Sequence, residues 1–315
     1  MNIPKLADEI ICGRRLKRGE DISFLLAADL TELTYEADKI RSHFCGKQAE
    51  LCSIINGKSG KCSEDCKFCA QSACHDTEVR VYEFLSEKEI LKECVYNEQK
   101  GVKRFSVVTA GRTLKENDFY RALTAYRLMK QKSNMKLCAS HGLLTEEQFS
   151  KLREAGVTRY HCNIETSRRY FPYICSTHTF EDKLDCIKRA QKQKLEICSG
   201  GIIGMGETWE DRLDMALTLS EIGAVSVPIN ILNPIEKTPM ENMPGISYED
   251  ILRTTAIFRF IIPTADIRLA GGRGLLSDKG RTAFKSGANA AITGDMLTTS
   301  GISVEADTKM LNELK

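Results

Sequence analysis

The stretch from Gly60 to Ser72, G-K-C-S-E-D-C-K-F-C-A-Q-S, constrains this chain more than any other. Its thiols Cys62, Cys66 and Cys69 fall in the spacing C-x3-C-x2-C. Cysteine thiolates are the usual ligands of iron–sulfur clusters, and a cubane has four irons that take one ligand each. Three thiols on one short loop hold three corners and leave the fourth iron open to a substrate or cofactor. A zinc loop is the alternative, but zinc loops usually pair close cysteines with a second close pair far downstream, and no such pair completes a site here.

Around this loop the chain alternates short apolar runs with longer amphipathic ones. The runs at Leu51–Ile55, Arg104–Val108, Met135–Ala139, Arg159–Asn163, Glu196–Gly200, Ser226–Ile231, Asp266–Ala270 and Ala290–Thr293 read as strands. Helical patterns lie between them near 86–99, 116–131, 145–155, 179–193, 208–222, 247–261 and 279–286. Ser86-x-x-Glu89, Thr145-x-x-Gln148 and Ser247-x-x-Asp250 cap three of these, and Gly101, Gly156 and Gly223 sit just past helices. Alternation of strand and helix through eight strands predicts an α/β fold, a (β/α)8 TIM barrel; an open doubly wound sheet shows the same alternation. Before the barrel, Thr31 to Phe44 carries Leu33, Ala37, Ile40 and Phe44 at helical spacing, with Thr31 and Thr34 as candidate caps. The expected organisation is an N-terminal helical extension over 1–45, the barrel over 46–300 and a C-terminal tail over 301–315. The cysteine loop follows the first strand, at the carboxyl end where barrels of this kind place their chemistry.

Composition removes several function classes. A net charge of +2 gives no electrostatic basis for nucleic-acid binding. Acids interrupt the apolar run of the amino terminus, so no signal peptide is expected, and no apolar run is long enough to span a membrane. Thirteen cysteines, an odd number in a long chain, argue for reduced thiols with metal or catalytic duties and for a reducing cytoplasm.

The string C-S-E-D-C-K-F-C-A-Q-S, with Phe68 just before the last cysteine, resembles the signature loop of the radical S-adenosylmethionine superfamily, and within it the biotin synthases. The resemblance runs from about residue 30 to 300 in ordered motifs. It implies a 4Fe-4S cluster whose open iron chelates S-adenosyl-L-methionine, with reductive cleavage releasing a 5′-deoxyadenosyl radical. It implies dethiobiotin as substrate, a flavodoxin- or ferredoxin-type electron donor and a homodimer. Phe68, Asn163, Glu165, Lys183, Gly200, Gly201 and Ile202 match family positions around the cofactor. The segment E-I-C-S-G-G-I-I-G-M-G-E-T supplies the glycines that let backbone approach a ligand closely. Asn163 and Asn230 match substrate-contacting positions, and an amide suits a ureido ring because it both donates and accepts. Two positions depart from the family pattern: Glu165 stands where Asp is usual, and Lys183 where the family often has Arg. Relatives from hydrogenase maturation and the pyrrolysine pathway share the loop, and a non-catalytic iron–sulfur carrier is the rival of another class.

The resemblance also implies a second, sulfur-donating cluster inside the barrel, held by three cysteines and an arginine. Cys138, Cys198 and Arg268 match three of those four ligands. The fourth is missing: R-F-S places Ser106 where the family has cysteine. Barrel interiors are built in layers of four side chains drawn from alternate strands. With Cys138, Cys198 and Arg268 on the third, fifth and seventh strands, the vacant corner belongs to the first, where Cys52 stands. The expected ligand set is therefore Cys52, Cys138 and Cys198 with Arg268 on or beside the cluster, and Ser106 is no ligand. Such a set accommodates a 2Fe-2S cluster or a larger four-iron species carrying an extra sulfide. Cys45 is the second choice to Cys52, while Cys12, Cys74, Cys94, Cys162, Cys175 and Cys186 receive no assignment.

Overall fold

The computed structural model describes residues 2–46, 49–299 and 301–314. Three helices precede the barrel: α1 (Ile3–Ile11), α2 (Phe24–Ala27) and α3 (Leu30–Cys45). The apolar stripe Leu33, Ala37 and Ile40 does form the buried face of α3, which packs against α1 and a later barrel helix. Its cap differs from expectation: Asp29, not Thr31, accepts from the Glu32 amide at 2.9 Å, and Thr34 donates back to Leu30 O instead. An aspartate at this place also puts negative charge at the positive end of the helix dipole.

The barrel strands are β1 (Glu50–Lys58), β2 (Arg104–Thr109), β3 (Lys136–Ser140), β4 (Val157–His161), β5 (Glu196–Cys198), β6 (Gly201–Ile203), β7 (Ser226–Ile231), β8 (Asp266–Leu269) and β9 (Ala290–Thr293). All pair in parallel, in the order β5-β4-β3-β2-β1-β9-β8-β7-β6, and β5 also pairs with β7. That last pairing closes the sheet: β5 and β6 are two halves of the fifth strand, interrupted at Ser199 and Gly200. A closed parallel barrel has no free edge, which settles the choice against an open sheet.

The barrel is wrapped by α4 (Glu87–Gln99), α5 (Glu116–Lys132), α6 (Glu146–Glu154), α7 (Phe171–Ile174), α8 (Phe180–Lys192), α9 (Trp209–Glu221), α10 (Tyr248–Ile261) and α11 (Arg281–Phe284). Complete capping boxes start α4 and α6, and Gly101, Gly156 and Gly223 take positive φ after α4, α6 and α9. The last helix, α12 (Val304–Asn312), is set by Ser303 and anchored by buried Asp307. No helix among the described residues is long and apolar enough to cross a membrane. The helix-to-sheet layer holds the apolar core, and the barrel interior is polar enough to carry chemistry.

Candidate active-site cavity

The cysteine loop leaves β1 through Gly60 and Lys61, both at positive φ. It is then wound tightly by its own backbone. The Cys62 amide donates to Gln71 O at 2.9 Å, Ala73 N donates to Cys62 O at 2.7 Å, and Cys69 N donates to Cys66 O at 2.9 Å. None of the three thiols is in a disulfide, and each is half-buried. The loop is tied to the segment that follows β4. Lys67 N donates to Ile174 O at 2.9 Å, and the Asp65 carboxylate accepts from the amides of Ser176 (2.9 Å) and Thr177 (3.2 Å). Glu64 accepts from Thr177 Oγ1 at 2.9 Å and meets His178 Nδ1 at 2.6 Å.

A cavity of about 360 Å³ runs from this loop down the barrel axis. Phe68, Cys69 and Gln71 line its mouth; Cys52, Cys138, Cys198 and Arg268 line its depth, together with Ser106. Its volume falls within the range of small-molecule sites. The strand registers say how the deep residues are grouped. Neighbouring strands of an eight-stranded barrel with shear eight are displaced by one residue per strand, so two strands on, the same height lies two residues further. From Cys52 the pairing runs to Arg104 and Lys136, and two residues on stands Cys138. From Cys138 it runs to Arg159 and Glu196, and two on stands Cys198. From Cys198 it runs to Ser226 and Asp266, and two on stands Arg268. From Arg268 it runs to Ala290 and Glu50, and two on stands Cys52 again. The four residues thus close one layer. By the same steps Ser106 belongs to the next layer toward the mouth, with His161, Pro228 and Ile292.

Charge supports the thiol layer. Below it, buried Arg104 and Arg159 meet Glu50, with Arg104 Nε to Glu50 Oε1 at 3.0 Å, and Arg159 Nε reaches Glu196 at 2.9 Å. Arg268 donates to the carbonyls of Ala291 (2.9 Å) and Glu50 (3.2 Å) and to Ser226 Oγ (3.2 Å). Its Nη2 and the Nη1 of Arg159 are buried without a hydrogen-bond acceptor, though carboxylates stand 3.5 to 3.9 Å away. Orphaned guanidinium N–H groups beside three thiols are the donor set that an anionic thiolate-bound cluster would satisfy. Two of the thiols are raised: burial pushes Cys52 up, and Cys138 is pushed up to about 12 by burial and then by the neighbouring charges of Cys198 and Cys52. Cys198 goes the other way. Burial opposes its charge, but His161, whose Nδ1 lies 3.4 Å from the sulfur, and Arg268 bring it down to about 7.

The residues matched to the cofactor and substrate also gather here. Gly200 and Gly201 are required by close backbone approach: a Cβ would stand 1.9 Å from Pro228 O at Gly200 and 2.3 Å from Glu165 O at Gly201. Asn163 Oδ1 accepts from Gly200 N at 3.0 Å, and Ile202 N donates to Glu165 O at 2.8 Å. Glu165 sits at φ 67°, a left-handed conformation that costs a non-glycine residue energy and points its side chain into the cavity. Lys183, on α8, stands behind this wall, within electrostatic reach of Glu165 and Cys66. Burial works against it, but the Cys162 thiol and the Glu165 carboxylate hold its pKa above the ordinary value. Asn230 lines the cavity with its amide partly engaged: it donates to Gly201 O at 3.0 Å and accepts from Gly271 N at 2.9 Å. One N–H and one lone pair remain for a ligand.

Sequence reasoning missed five participants, Arg104 among them. His161 and Arg159 share the inward parity of Asn163 on β4, a signal that was available in the string. Cys175 and His178 were not legible, because their meeting with Cys66 depends on two loops far apart in sequence. The Cys66 and Cys175 sulfurs lie 3.7 Å apart, and His178 Nδ1 is 3.3 Å from Cys175. The Cys66 thiol donates to Cys175, and that bond brings Cys175 down to about 4 and raises Cys66.

Comparison with known proteins identifies the family and the fold. Residues 58–219 match the radical SAM superfamily, and residues 228–315 match the biotin and thiamin synthesis associated domain. The chain is 58% identical to a biotin synthase of Clostridium beijerinckii, over 98% of each chain. It is 56% identical to one of Alkaliphilus metalliredigens, over 100% of this chain and 99% of that one. Among solved structures it resembles methylornithine synthase, with a TM-score of 0.85 at 19% identity over 98% of this chain and 96% of that one. It also resembles the FeFe-hydrogenase maturase from Carboxydothermus hydrogenoformans, with a TM-score of 0.82 at 16% identity over 99% and 77%. At such identities the two structures speak for the barrel fold alone.

Proposed function

The chain belongs to the biotin synthase family of radical S-adenosylmethionine enzymes, and from that premise we propose how its residues divide the work. The protein inserts sulfur into dethiobiotin to form biotin, using a 4Fe-4S cluster with S-adenosylmethionine and an auxiliary iron–sulfur cluster. When bound, the cubane and S-adenosylmethionine supply the 5′-deoxyadenosyl radical, and the auxiliary cluster supplies the sulfur.

In our reading Cys62, Cys66 and Cys69 hold the cubane at the mouth. Phe68 packs beside it, and the Gly200–Ile202 backbone with Asn163 forms the cradle for the nucleoside. Lys183 faces the methionine carboxylate, and Glu165 receives donors of the ribose or ammonium group. Asn163 and Asn230 orient the ureido ring with their remaining amide valences, which keeps the reacting carbons pointed down the cavity. Cys52, Cys138 and Cys198 hold the auxiliary cluster, and Arg268 stands on or against it. Ser106, one layer higher, faces the space between the two clusters and ligates neither. The observation that carries this ligand set is the single closed layer of Cys52, Cys138, Cys198 and Arg268.

The working unit in this proposal is a 1–45 helical extension, a 46–300 barrel and a 301–315 tail. A homodimer is proposed, reduced by a flavodoxin- or ferredoxin-type donor in a reducing cytoplasm, a compartment that suits thirteen unpaired thiols. The test is an anaerobic reaction with dethiobiotin after the clusters have been built from labelled sulfide. Biotin should carry the label in the first turnover, and replacing Cys62, Cys66 or Cys69 by alanine should abolish 5′-deoxyadenosine. Unlabelled biotin, or undiminished 5′-deoxyadenosine from any of those variants, would sink the scheme.

A further inference from the structure

Cys66 faces two possible fates in this structure. On the sequence it is a corner ligand of the cubane. In space its sulfur is directed at Cys175 and His178, and these three are, among the described residues, the group of metal-ligating side chains whose donor atoms all lie within 4.8 Å of one another. Ligands to different irons of one cubane stand further apart than ligands to a single ion, so this grouping has the scale of a mononuclear site.

The distances can be tested against coordination chemistry. A zinc–thiolate bond of about 2.3 Å gives a tetrahedral S···S edge of about 3.8 Å, and with a zinc–imidazole bond of about 2.0 Å an S···N edge of about 3.5 Å. The observed separations are 3.7 Å between Cys66 Sγ and Cys175 Sγ and, from Cys175 Sγ to the His178 ring, 3.3 Å to Nδ1 and 3.8 Å to Nε2. The tautomer is prepared as well. Glu64 engages Nδ1 at 2.6 Å and leaves the Nε2 lone pair for a metal, the carboxylate–histidine–metal arrangement of many zinc sites. Cys175 is 4% and His178 7% exposed, and the segment carrying them is fixed by the bonds from Asp65 to the Ser176 and Thr177 amides. Thiolate, thiolate and imidazole select a thiophilic divalent ion over calcium or magnesium.

We propose that Cys66, Cys175 and His178 form a mononuclear site for zinc(II) or iron(II) that is filled when the cubane is absent. The ion and the cubane then compete for Cys66, so an ion held here keeps that corner of the cubane unmade until it is displaced. Glu64 acts through His178 as a positioning residue.

The experiment uses the cluster-free full chain, kept anaerobic, with zinc(II) added in steps and thiol alkylation mapped by peptide mass spectrometry. Zinc should slow alkylation of Cys66 by at least about tenfold while Cys62 and Cys69 change less than about twofold, since a metal-bound thiolate is masked. Cys175→Ser and His178→Gln should each remove the protection, and Glu64→Gln should weaken zinc by about 10- to 100-fold. Equal protection of Cys62, Cys66 and Cys69 would mean that zinc sits on the cysteine loop alone and would overturn the proposal. So would protection of Cys66 that survives His178→Gln, a readout that stands even where Cys175→Ser fails to fold. Neither result bears on biotin formation, so the function assigned above is tested separately.

Discussion

The distinction between Cys52 and Ser106 is the most exacting statement the molecule makes about a single side chain. Both line one cavity, and they differ by one layer in height, a difference that follows from register and not from proximity. Cys52→Ser should therefore lose the auxiliary iron and biotin formation while still cleaving S-adenosylmethionine, whereas Ser106→Ala should keep both clusters. Iron and sulfide analysis beside a 5′-deoxyadenosine assay reads both outcomes, and iron loss in Ser106→Ala would refute the layer argument. How much of this was legible in the sequence depends on the range of the interaction. Cys62, Cys66 and Cys69 were readable because their spacing is local. Cys138, Cys198 and Arg268 were readable from their strings, and Cys52 because strand parity and barrel layering are periodic. Cys175 and His178 were not, since no period connects residue 66 to residue 175. Arg104, beneath the thiol layer, was missed for a different reason: it looks like a surface residue until closure of the barrel brings Glu50 to it.

Among the elements, the fifth strand carries the most function per residue. It breaks into β5 and β6 because Gly200 and Gly201 bring two backbones too close for any side chain. The sequence predicted a continuous strand ending at Gly200; it lacked the contact with Pro228 and Glu165 that makes the break. Gly201→Ala forces a Cβ to 2.3 Å from Glu165 O and 2.4 Å from Met215 Sδ. We expect about 1–3 kcal/mol of lost stability by denaturant unfolding, and a weakened affinity for S-adenosylmethionine in equilibrium binding. Wild-type stability together with wild-type affinity would show that the cradle is not needed. The end of β3 carries a second element-scale effect. His141 is fully buried between Thr109 Oγ1, 3.1 Å from Nδ1, and Tyr126 Oη, 2.9 Å from Nε2. Burial lowers its pKa from 6.5 to about 3. Below 6.5 the unfolded chain therefore takes up a proton that the folded chain refuses. Its contribution is intact above that value and is lost as pH falls toward 3, by up to about 1.4 kcal/mol per pH unit. Urea unfolding of the cluster-free chain between these limits should show that slope, and His141→Gln should flatten it.

At the scale of the whole molecule, the question is what holds the cavity wall at its mouth, beside the cysteine loop. The segment after β9 supplies Met296, Leu297, Thr298 and Thr299 to the cavity wall, and Asn56 on β1 donates to Leu297 O at 3.0 Å. That segment is held from both ends. Gly294 N donates to Ile302 O at 2.7 Å, and further on α12 is clasped to the barrel by Arg273, which meets Asp307 through two parallel bonds of 2.8 and 2.6 Å. Both side chains are 1% exposed, and Arg273 also donates to Ile292 O at 3.2 Å, at the end of a barrel strand. Removing one partner of such a buried pair leaves an uncompensated charge, which costs about 3–5 kcal/mol. Asp307→Ala should therefore lower the unfolding free energy by that order, far more than a surface substitution such as Glu313→Ala, whose partner Arg281 is exposed. The functional consequence follows from the geometry. A tail that has lost its clasp no longer holds Met296–Thr299 over the cavity, so water reaches the radical chemistry. The expected signature in Asp307→Ala is a rise in 5′-deoxyadenosine formed per biotin, with the cubane still loaded. An unchanged ratio in a measurably destabilised variant would separate the two roles and leave α12 as a stabilising element only.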